Sequence, residues 1–175
     1  MVTLAEYARD PRRRTELING VVVESPLASR AQVTFARRLT GTLEQHGLLS
    51  GMRANLILDD RDPQRTLVRE PDVYVLREVN DPEDDGLFQR AENTLLVVEV
   101  RSPGSGITDW VEKMSEYADA GIPQYWIVEF FGNGAPHLYT FDLKPGGYGE
   151  REHWDADVDI EVAGVPVRFN VRDLI

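Results

Sequence analysis

The sequence predicts an α/β fold, a mixed β-sheet flanked by helices, with a β-hairpin near the N-terminus. Residues 94–100 and 123–131 are nearly continuous apolar runs, typical of strands that are buried on both faces. Residues 108–121 between them have the apolar spacing of a helix, so the three segments predict a βαβ unit with parallel strands. Asn19-Gly20 lies between two β-prone runs and predicts the hairpin.

The first half of the chain alternates helical and extended patterns. Thr3 and Glu6 have the spacing of a capping box and predict a short helix over residues 3–9. The remaining predicted elements of this half are a hairpin over 16–24, a helix from Ser29 to His46, and strands over 52–60 and 71–76.

The second half adds less apolar strands around the βαβ unit. Residues 78–93 are acidic and rich in turn formers, so we expect a mobile excursion between strands there. Residues 136–142, 147–154 and 157–162 predict antiparallel strands joined by glycine turns. With no internal repeat and no long linker, residues 1–175 are expected to form a single domain.

The composition excludes several classes of site. The chain has no cysteine, which excludes disulfides, thiolate zinc sites and a cysteine nucleophile. The three histidines are far apart in sequence, so a metal ion would depend on oxygen ligands, as Mg²⁺, Mn²⁺ and Ca²⁺ do. No apolar run approaches the length of a membrane span, and the N-terminus lacks the order of a signal peptide, so we expect a cytoplasmic protein without a membrane partner.

The charge of the chain is unevenly distributed. A net charge of −11 argues against nucleic-acid binding that depends on charge alone. Residues 1–70, however, carry 11 arginines against 9 acidic residues, so a nucleic-acid surface is expected to draw on this half. The alternative is that these arginines are ordinary solvated surface. The candidates are Arg12, Arg13, Arg14, Arg30, Arg37 and Arg38.

Two carboxylates are the main candidates for chemistry. Glu99 ends an apolar run, where a carboxylate is costly unless it is paired, protonated or bound to a cation. Arg101 projects from the same strand face, so a simple Glu99–Arg101 ion pair is one interpretation. Asp72 begins another strand, and an adjacent strand end would bring it beside Glu99. A divalent cation is the usual way to hold two neighbouring carboxylates together.

Lys113 is a further candidate, one of only two lysines beside 17 arginines. It shares a helix face with Asp109 and Tyr117, four residues away on either side. An ordinary surface ion pair with Asp109 is the alternative interpretation of this spacing.

The ordered set of these residues resembles the Uma-type restriction endonuclease family, which belongs to the PD-(D/E)XK nuclease superfamily. The resemblance covers nearly the whole chain and includes the opening ELINGVVVESP. The residues that carry it are Pro71-Asp72, Glu99-Val100-Arg101-Ser102-Pro103, Asp109, Lys113, Tyr117, Gly121 and Tyr125-Trp126.

This resemblance implies a restriction-endonuclease-like fold and a Mg²⁺-dependent endonuclease that hydrolyses nucleic-acid phosphodiester bonds. It implies that Asp72 and Glu99 hold Mg²⁺, or Mn²⁺, together with the Val100 carbonyl. Lys113 would orient or activate the attacking water, and Glu16 is a weaker candidate for a further acidic contact. DNA is the favoured substrate, with RNA left open. A homodimer is expected because two-fold partners suit a duplex.

Two positions depart from the family pattern. Arg101 stands where the superfamily lysine is expected, and arginine stays protonated and is a poor general base. Either Lys113 or Arg101 would then take the role of that lysine. Gln32 stands where a histidine is common in the family. The departures leave open an alternative function, a catalytically degenerate relative that serves as a nucleic-acid-binding or protein-interaction module.

Overall fold

The computed structural model describes residues 1–9, 14–78, 87–101, 109–132 and 134–175. Helices are α1 (Leu4–Arg9), α2 (Arg30–Gln45) and α3 (Met114–Asp119), with a π-helical turn at Asp109–Lys113 and 3₁₀ turns at Ala91–Asn93 and Val171–Leu174. The first seven strands are β1 (Thr15–Ile18), β2 (Val21–Glu24), β3 (Leu49–Gly51), β4 (Asn55–Asp59), β5 (Leu67–Arg69), β6 (Val73–Leu76) and β7 (Phe88–Arg90). The others are β8 (Thr94–Arg101), β9 (Gln124–Phe130), β10 (Pro136–Lys144), β11 (Gly147–Tyr148), β12 (Glu152–Trp154), β13 (Asp157–Val162) and β14 (Val165–Asn170).

A mixed sheet forms the centre of the fold, in the order β11-β10-β9-β8-β6-β3, with β12 paired to β10. Strands β8 and β9 are parallel, whereas β8 and β6 are antiparallel. The predicted mixed sheet and the parallel pairing of the two apolar strands are therefore confirmed. The predicted helix between them differs at its start, where Asp109–Lys113 form a π-helical turn before α3.

A second sheet contains the N-terminal hairpin, in the order β2-β1-β5-β4-β7. The prediction that residues 78–93 form an excursion is wrong for the described part of that segment, because β7 pairs in parallel with β4. Strand β7 has only three residues, too few to show a strand periodicity in the sequence. The predicted strand over 157–162 also differs in its partner, because it forms a separate hairpin with β14.

The local signals of the N-terminal half are confirmed. Glu6 accepts a hydrogen bond from the Thr3 backbone N–H at 2.8 Å, as a capping box requires. Asn19 and Gly20 have φ of 51° and 76°, the left-handed pair that a two-residue hairpin turn needs. Ser29 caps α2 through the backbone N–H of Gln32.

The two faces of the central sheet are buried by different partners. Val98 and Val100 pack on the face covered by α2, in a cluster with Leu39. Val97 packs on the opposite face with Tyr117 of α3. Because side chains alternate along a strand, Glu99 lies on the same face as Val97 and Tyr117.

Some predicted features lie outside the described residues, namely Arg12, Arg13, residues 79–86, Ser102-Pro103 and the side chain of Asp109. Among the helices that the structure describes, none combines the length and apolar character that a bilayer span needs.

Candidate functional site

Asp72, directly before β6, lies opposite Glu99 of the adjacent strand β8. Val73 of β6 is the antiparallel partner of Val98 of β8, and one further step in this register places Asp72 opposite Glu99. Side chains at opposed positions of an antiparallel pair lie on the same face. Asp72 Oδ2 also accepts a hydrogen bond from the Val100 backbone N–H at 2.8 Å. The fold therefore brings together the two carboxylates that the sequence singles out.

Glu99 is a buried carboxylate with two donors from the helix that packs over it. Only 5% of the surface of Glu99 is exposed to solvent. Glu99 Oε1 accepts hydrogen bonds from Lys113 Nζ at 3.0 Å and from Tyr117 Oη at 2.7 Å. Burial and the negative charge of Glu99 raise the pKa of Tyr117 well above its ordinary value, so its hydroxyl remains a donor. The sequence marks Tyr117 as a neighbour of Lys113 but does not show its contact with Glu99.

Lys113 also connects Glu99 to a second buried acid. Its Nζ lies 3.3 Å from Glu16 Oε1, while Glu16 Oε2 accepts a hydrogen bond from Arg69 at 2.6 Å. Arg69 binds Glu116 of α3 as well, through Nε and Nη2. Burial alone would raise the pKa of Glu16, but the charges of Lys113 and Arg69 outweigh it and lower that pKa. Glu16 is thus an anion that faces the same lysine as Glu99.

Arg101 lies at the end of β8 and has a different ion-pair partner from Lys113. Its Nη1 donates to Glu129 of the neighbouring strand β9, and Glu129 also accepts a hydrogen bond from Trp110 Nε1 at 2.9 Å. The Arg101 guanidinium lies 5.9 Å from the centre of the Trp110 ring, within cation–π distance. These contacts hold the Arg101 side chain on the side of the site nearest β9.

Gln32 connects α2 to the strand that carries Glu99. Its amide Nε2 donates to the Val100 carbonyl at 2.7 Å, and its Oε1 accepts a hydrogen bond from the Ser29 backbone N–H at 2.7 Å. The backbone of Val100 therefore donates a hydrogen bond to Asp72 through its N–H and accepts one from Gln32 through its carbonyl. The sequence identifies the Gln32 position, but this contact depends on packing between distant segments.

A cavity of about 430 Å³ gives access to these groups. Glu16, Asp72, Glu99 and Lys113 line it together with Arg101. Three further arginines line the cavity, namely Arg14, Arg53 and Arg69. Arg30, Arg37 and Arg38 are instead exposed on α2, and Arg38 donates to the backbone carbonyl of Asp173 at 3.1 Å. Of the arginines suggested by the sequence, only Arg14 is described at the cavity.

Six acidic residues line this cavity, namely Glu16, Glu24, Glu70, Asp72, Glu99 and Glu112. Within the described residues, no group of three or more His, Cys, Asp or Glu side chains is arranged to hold a metal ion. Asp72 and Glu99 provide two opposed carboxylates, and the Val100 carbonyl lies on the same strand. Mg²⁺ is commonly bound through one or two carboxylates, with water and substrate phosphate in the other positions. The donor set fits a hard divalent cation of that kind.

The family assignment follows from a match over almost the whole chain. Residues 2–171 match the model of the Uma2 family, which is described as "Putative restriction endonuclease". This chain belongs to the Uma2 family. The family prediction made from the ordered motifs is therefore confirmed.

A solved structure supports the fold of this Uma2 protein. A "putative nuclease belonging to DUF820" from Anabaena variabilis is similar, with a TM-score of 0.73, 15% sequence identity, and coverage of 99% of this chain and 97% of that one. At this identity the similarity shows the fold, a mixed α/β nuclease-like architecture, which confirms the predicted fold class. Among curated proteins, no relative matches this chain.

Proposed function

We propose that this Uma2 protein is a Mg²⁺-dependent endonuclease that hydrolyses phosphodiester bonds in nucleic acid, with DNA as the favoured substrate. The observation that carries the proposal is the opposition of Asp72 and Glu99 on one sheet face, with Lys113 bound to Glu99. These groups line an accessible cavity rather than a closed core. The membership of the family supports the same class of reaction.

Asp72 and Glu99 would hold Mg²⁺, or Mn²⁺, with the Val100 carbonyl as a further oxygen ligand. When bound, such a cation supplies Lewis-acid stabilisation of a phosphate and lowers the pKa of a water molecule. The neighbouring residues prepare the ligands for this role. Tyr117 and Lys113 orient the Glu99 carboxylate, while the Val100 N–H orients Asp72.

Lys113 is our choice for the role of the superfamily lysine. Its ammonium group contacts Glu99 and faces the cavity, where it would orient the attacking water and stabilise negative charge on phosphate. Arg101 is bound to Glu129, and its permanently protonated guanidinium suits phosphate binding better than proton transfer. Arg101 therefore contributes a positive charge beside the reacting groups in this proposal.

Substitution of each carboxylate tests the proposal. Asp72→Ala and Glu99→Ala should each lower Mg²⁺-dependent cleavage of plasmid and oligonucleotide substrates by about 100-fold or more, because each removes a ligand. Glu92→Ala is the matched control, because Glu92 is an exposed acid outside the cavity. Circular dichroism and melting curves would establish that each variant is folded. Full activity in either folded ligand variant would refute the assignment.

One observation favours the alternative of a catalytically degenerate module. Lys113 lies within ion-pair distance of both Glu16 and Glu99, so this part of the site has charge compensation from the chain itself. In that case divalent metal should leave the melting temperature nearly unchanged. A rise in melting temperature with Mg²⁺ that is lost in Glu99→Gln would exclude the alternative, because a ligand stabilises the state that binds it.

The proposal includes a homodimer, since two-fold partners would place two sites on the two strands of a duplex. Sedimentation velocity at micromolar concentration would reveal it as a species of twice the chain mass. A monomer at all concentrations, with or without duplex, would rule it out.

A further inference from the structure

A row of aromatic rings and one arginine extends from the candidate site along the same face of the central sheet. We call it the ring track, and it consists of Trp110, Tyr139, Arg151, His153, His137 and Phe131. None of these residues lines the cavity, and Trp110 is the member that contacts Arg101 and its partner Glu129. Their arrangement is a separate feature that the proposed cleavage reaction does not use.

Strand register connects the ring track to the carboxylates. Glu99 pairs with Ile127 of β9, which in turn pairs with Tyr139 of β10, and Tyr139 pairs with His153 of β12. These residues form one row across four strands, with Glu99 at one end and His153 at the other. Side chains at paired positions share a face, so the track leads directly away from the site.

The rings of the track contact one another in a continuous series, with Tyr139 over His153, His153 edge to edge with His137, and Phe131 tilted against His137. Tyr139 and His153 have ring centres 4.9 Å apart at an interplanar angle of 22°, and His153 and His137 are 5.0 Å apart at 7°. His137 Nδ1 and His153 Nε2 are within hydrogen-bond distance at 2.8 Å. Phe131 packs on His137 with ring centres 4.3 Å apart and remains 47% exposed. The far end of the track is therefore an ordered aromatic surface that faces solvent.

Positive charge accompanies the rings. The Arg151 guanidinium lies 5.0 Å from the Tyr139 ring centre and 5.7 Å from that of Trp110. Glu129, the acid nearest to the site end of the track, is bound by Arg101 and by the indole N–H of Trp110. Cations over aromatic faces next to exposed rings match a ligand that has both phosphates and flat bases.

We propose that the ring track binds unpaired nucleotides of the substrate that flank the phosphate at Asp72 and Glu99. Bases would stack on the rings of His153, His137 and Phe131, while Arg151 would contact the backbone. Continuous duplex keeps its bases inside the helix and cannot use the rings in this way. The inference rests on the proposed nuclease function, and it specifies the substrate as nucleic acid with a single-stranded segment next to the cleaved bond.

Binding without cleavage tests the ring track by itself. Fluorescence anisotropy in EDTA would compare a labelled single strand of about 12 nucleotides, as oligo-dT and as oligo-U, with a duplex of equal length. We expect the wild-type chain to bind the single strand more tightly than the duplex. Phe131→Ala and His153→Ala should each weaken single-strand binding about tenfold, since each removes a stacking surface. The two oligonucleotides distinguish DNA from RNA as the source of the bases.

Two controls separate stacking from other effects. Leu49→Ala, which truncates an exposed side chain on β3 at the opposite edge of the sheet, should bind as the wild type does. An abasic strand, which keeps every phosphate, should bind the wild type as weakly as the intact strand binds Phe131→Ala. Equal binding of abasic and intact strands, unchanged binding by both ring variants, or no single-strand binding by the wild type would overturn the inference.

The result is independent of the outcome of the cleavage assay. If the ring variants lose binding and the wild type shows no metal-dependent cleavage, the binding role of the ring track is supported and the nuclease proposal is refuted. If the wild type cleaves and the ring variants bind as the wild type does, the nuclease proposal is supported and the binding role of the ring track is refuted.

Discussion

Glu99 shows how a single buried residue can indicate a site. A carboxylate in an apolar strand costs several kcal/mol unless it is compensated. The structure provides that compensation from one helix, through Lys113 and Tyr117 at adjacent turns of the same face. Because Lys113 is shared with Glu16, the arrangement places one cation between two anions at the wall of the cavity.

Glu16 and Glu70, two glutamates that line the cavity, should respond to pH in opposite ways. The pKa of Glu16 is lowered below its ordinary value of 4.5, since Lys113 and Arg69 outweigh burial. Its contribution to stability is therefore present above pH 4.5 and is lost as the pH falls below that value. Burial instead raises the pKa of Glu70, so its contribution is present below its ordinary pKa and is lost as the pH rises through the raised value.

Glutamine substitutions measure these contributions. At about pH 7, Glu16→Gln should lower the free energy of unfolding by about 1–3 kcal/mol, whereas Glu70→Gln should raise the melting temperature. The difference between each variant and the wild type should shrink as the pH falls from 7 toward about 3, because protonation of Glu16 and Glu70 removes the negative charge that glutamine lacks. Urea denaturation across this range provides the measurement. A Glu16→Gln deficit that is the same at both pH values would contradict the assigned charge interaction.

The site could be predicted from sequence only where a residue is unusual in its own segment. Glu99 is conspicuous in an apolar run, Asp72 stands at a strand entry, and Lys113 is a rare lysine on a helix. Arg69 and Tyr117 have ordinary local surroundings in the sequence. Arg69 contacts Glu16 of β1 and Glu116 of α3, whereas Tyr117 contacts Glu99 of β8. Such contacts between distant segments leave no periodic signal in a single sequence. The catalytic roles assigned to Asp72, Glu99, Arg101 and Lys113 stay predictions.

At the scale of elements, two glycines have opposite structural requirements. Gly41 lies within α2, and a Cβ there would meet no atom within 4 Å. Gly41→Ala should therefore stabilise the protein by about 0.5–1 kcal/mol, because alanine is the better helix former. Gly51 in β3 pairs with Tyr74 of β6, and a Cβ there would come within 2.5 Å of Tyr74 Cζ.

Gly51→Ala should destabilise the protein by about 1–3 kcal/mol, since the Tyr74 ring must move in a packed environment. Thermal denaturation of the two alanine variants side by side provides the measurement. Equal melting temperatures for Gly41→Ala and Gly51→Ala would contradict the view that Tyr74 packs too closely on Gly51 of β3 to admit a Cβ.

Elements with a strong local signal were predictable, and the three-residue strands were not. The signals for α1, α2, the N-terminal hairpin, β8 and β9 are local, either caps, turns or continuous apolar runs. Strands β3, β5 and β7 have three residues each, and their existence depends on the partners with which they pair. Strand β14 follows a turn at Ala163 and Gly164, whose φ values of 50° and 84° complete a hairpin without an Asn-Gly signal.

At the scale of the whole molecule, the charge of the chain restricts how it can meet nucleic acid. A net charge of −11 repels phosphate at long range, so contacts must be concentrated on a local surface. The cavity offers Arg14, Arg53 and Arg69 beside the carboxylates, and the ring track continues from it with Arg151. Binding by shape and stacking, next to a small cavity where five basic residues lie beside six acidic ones, is consistent with an acidic protein.

The central claim is that Asp72 and Glu99 form one divalent-cation site, and a calorimetric titration with Mn²⁺ tests it most directly. The account predicts saturable binding of one ion per wild-type chain, lost in both Asp72→Asn and Glu99→Gln and retained in Glu92→Gln. Because the two substitutions keep the side-chain volumes, they remove charge with little change in packing. No binding by the wild-type chain, or equal affinity in all four proteins, would contradict the account.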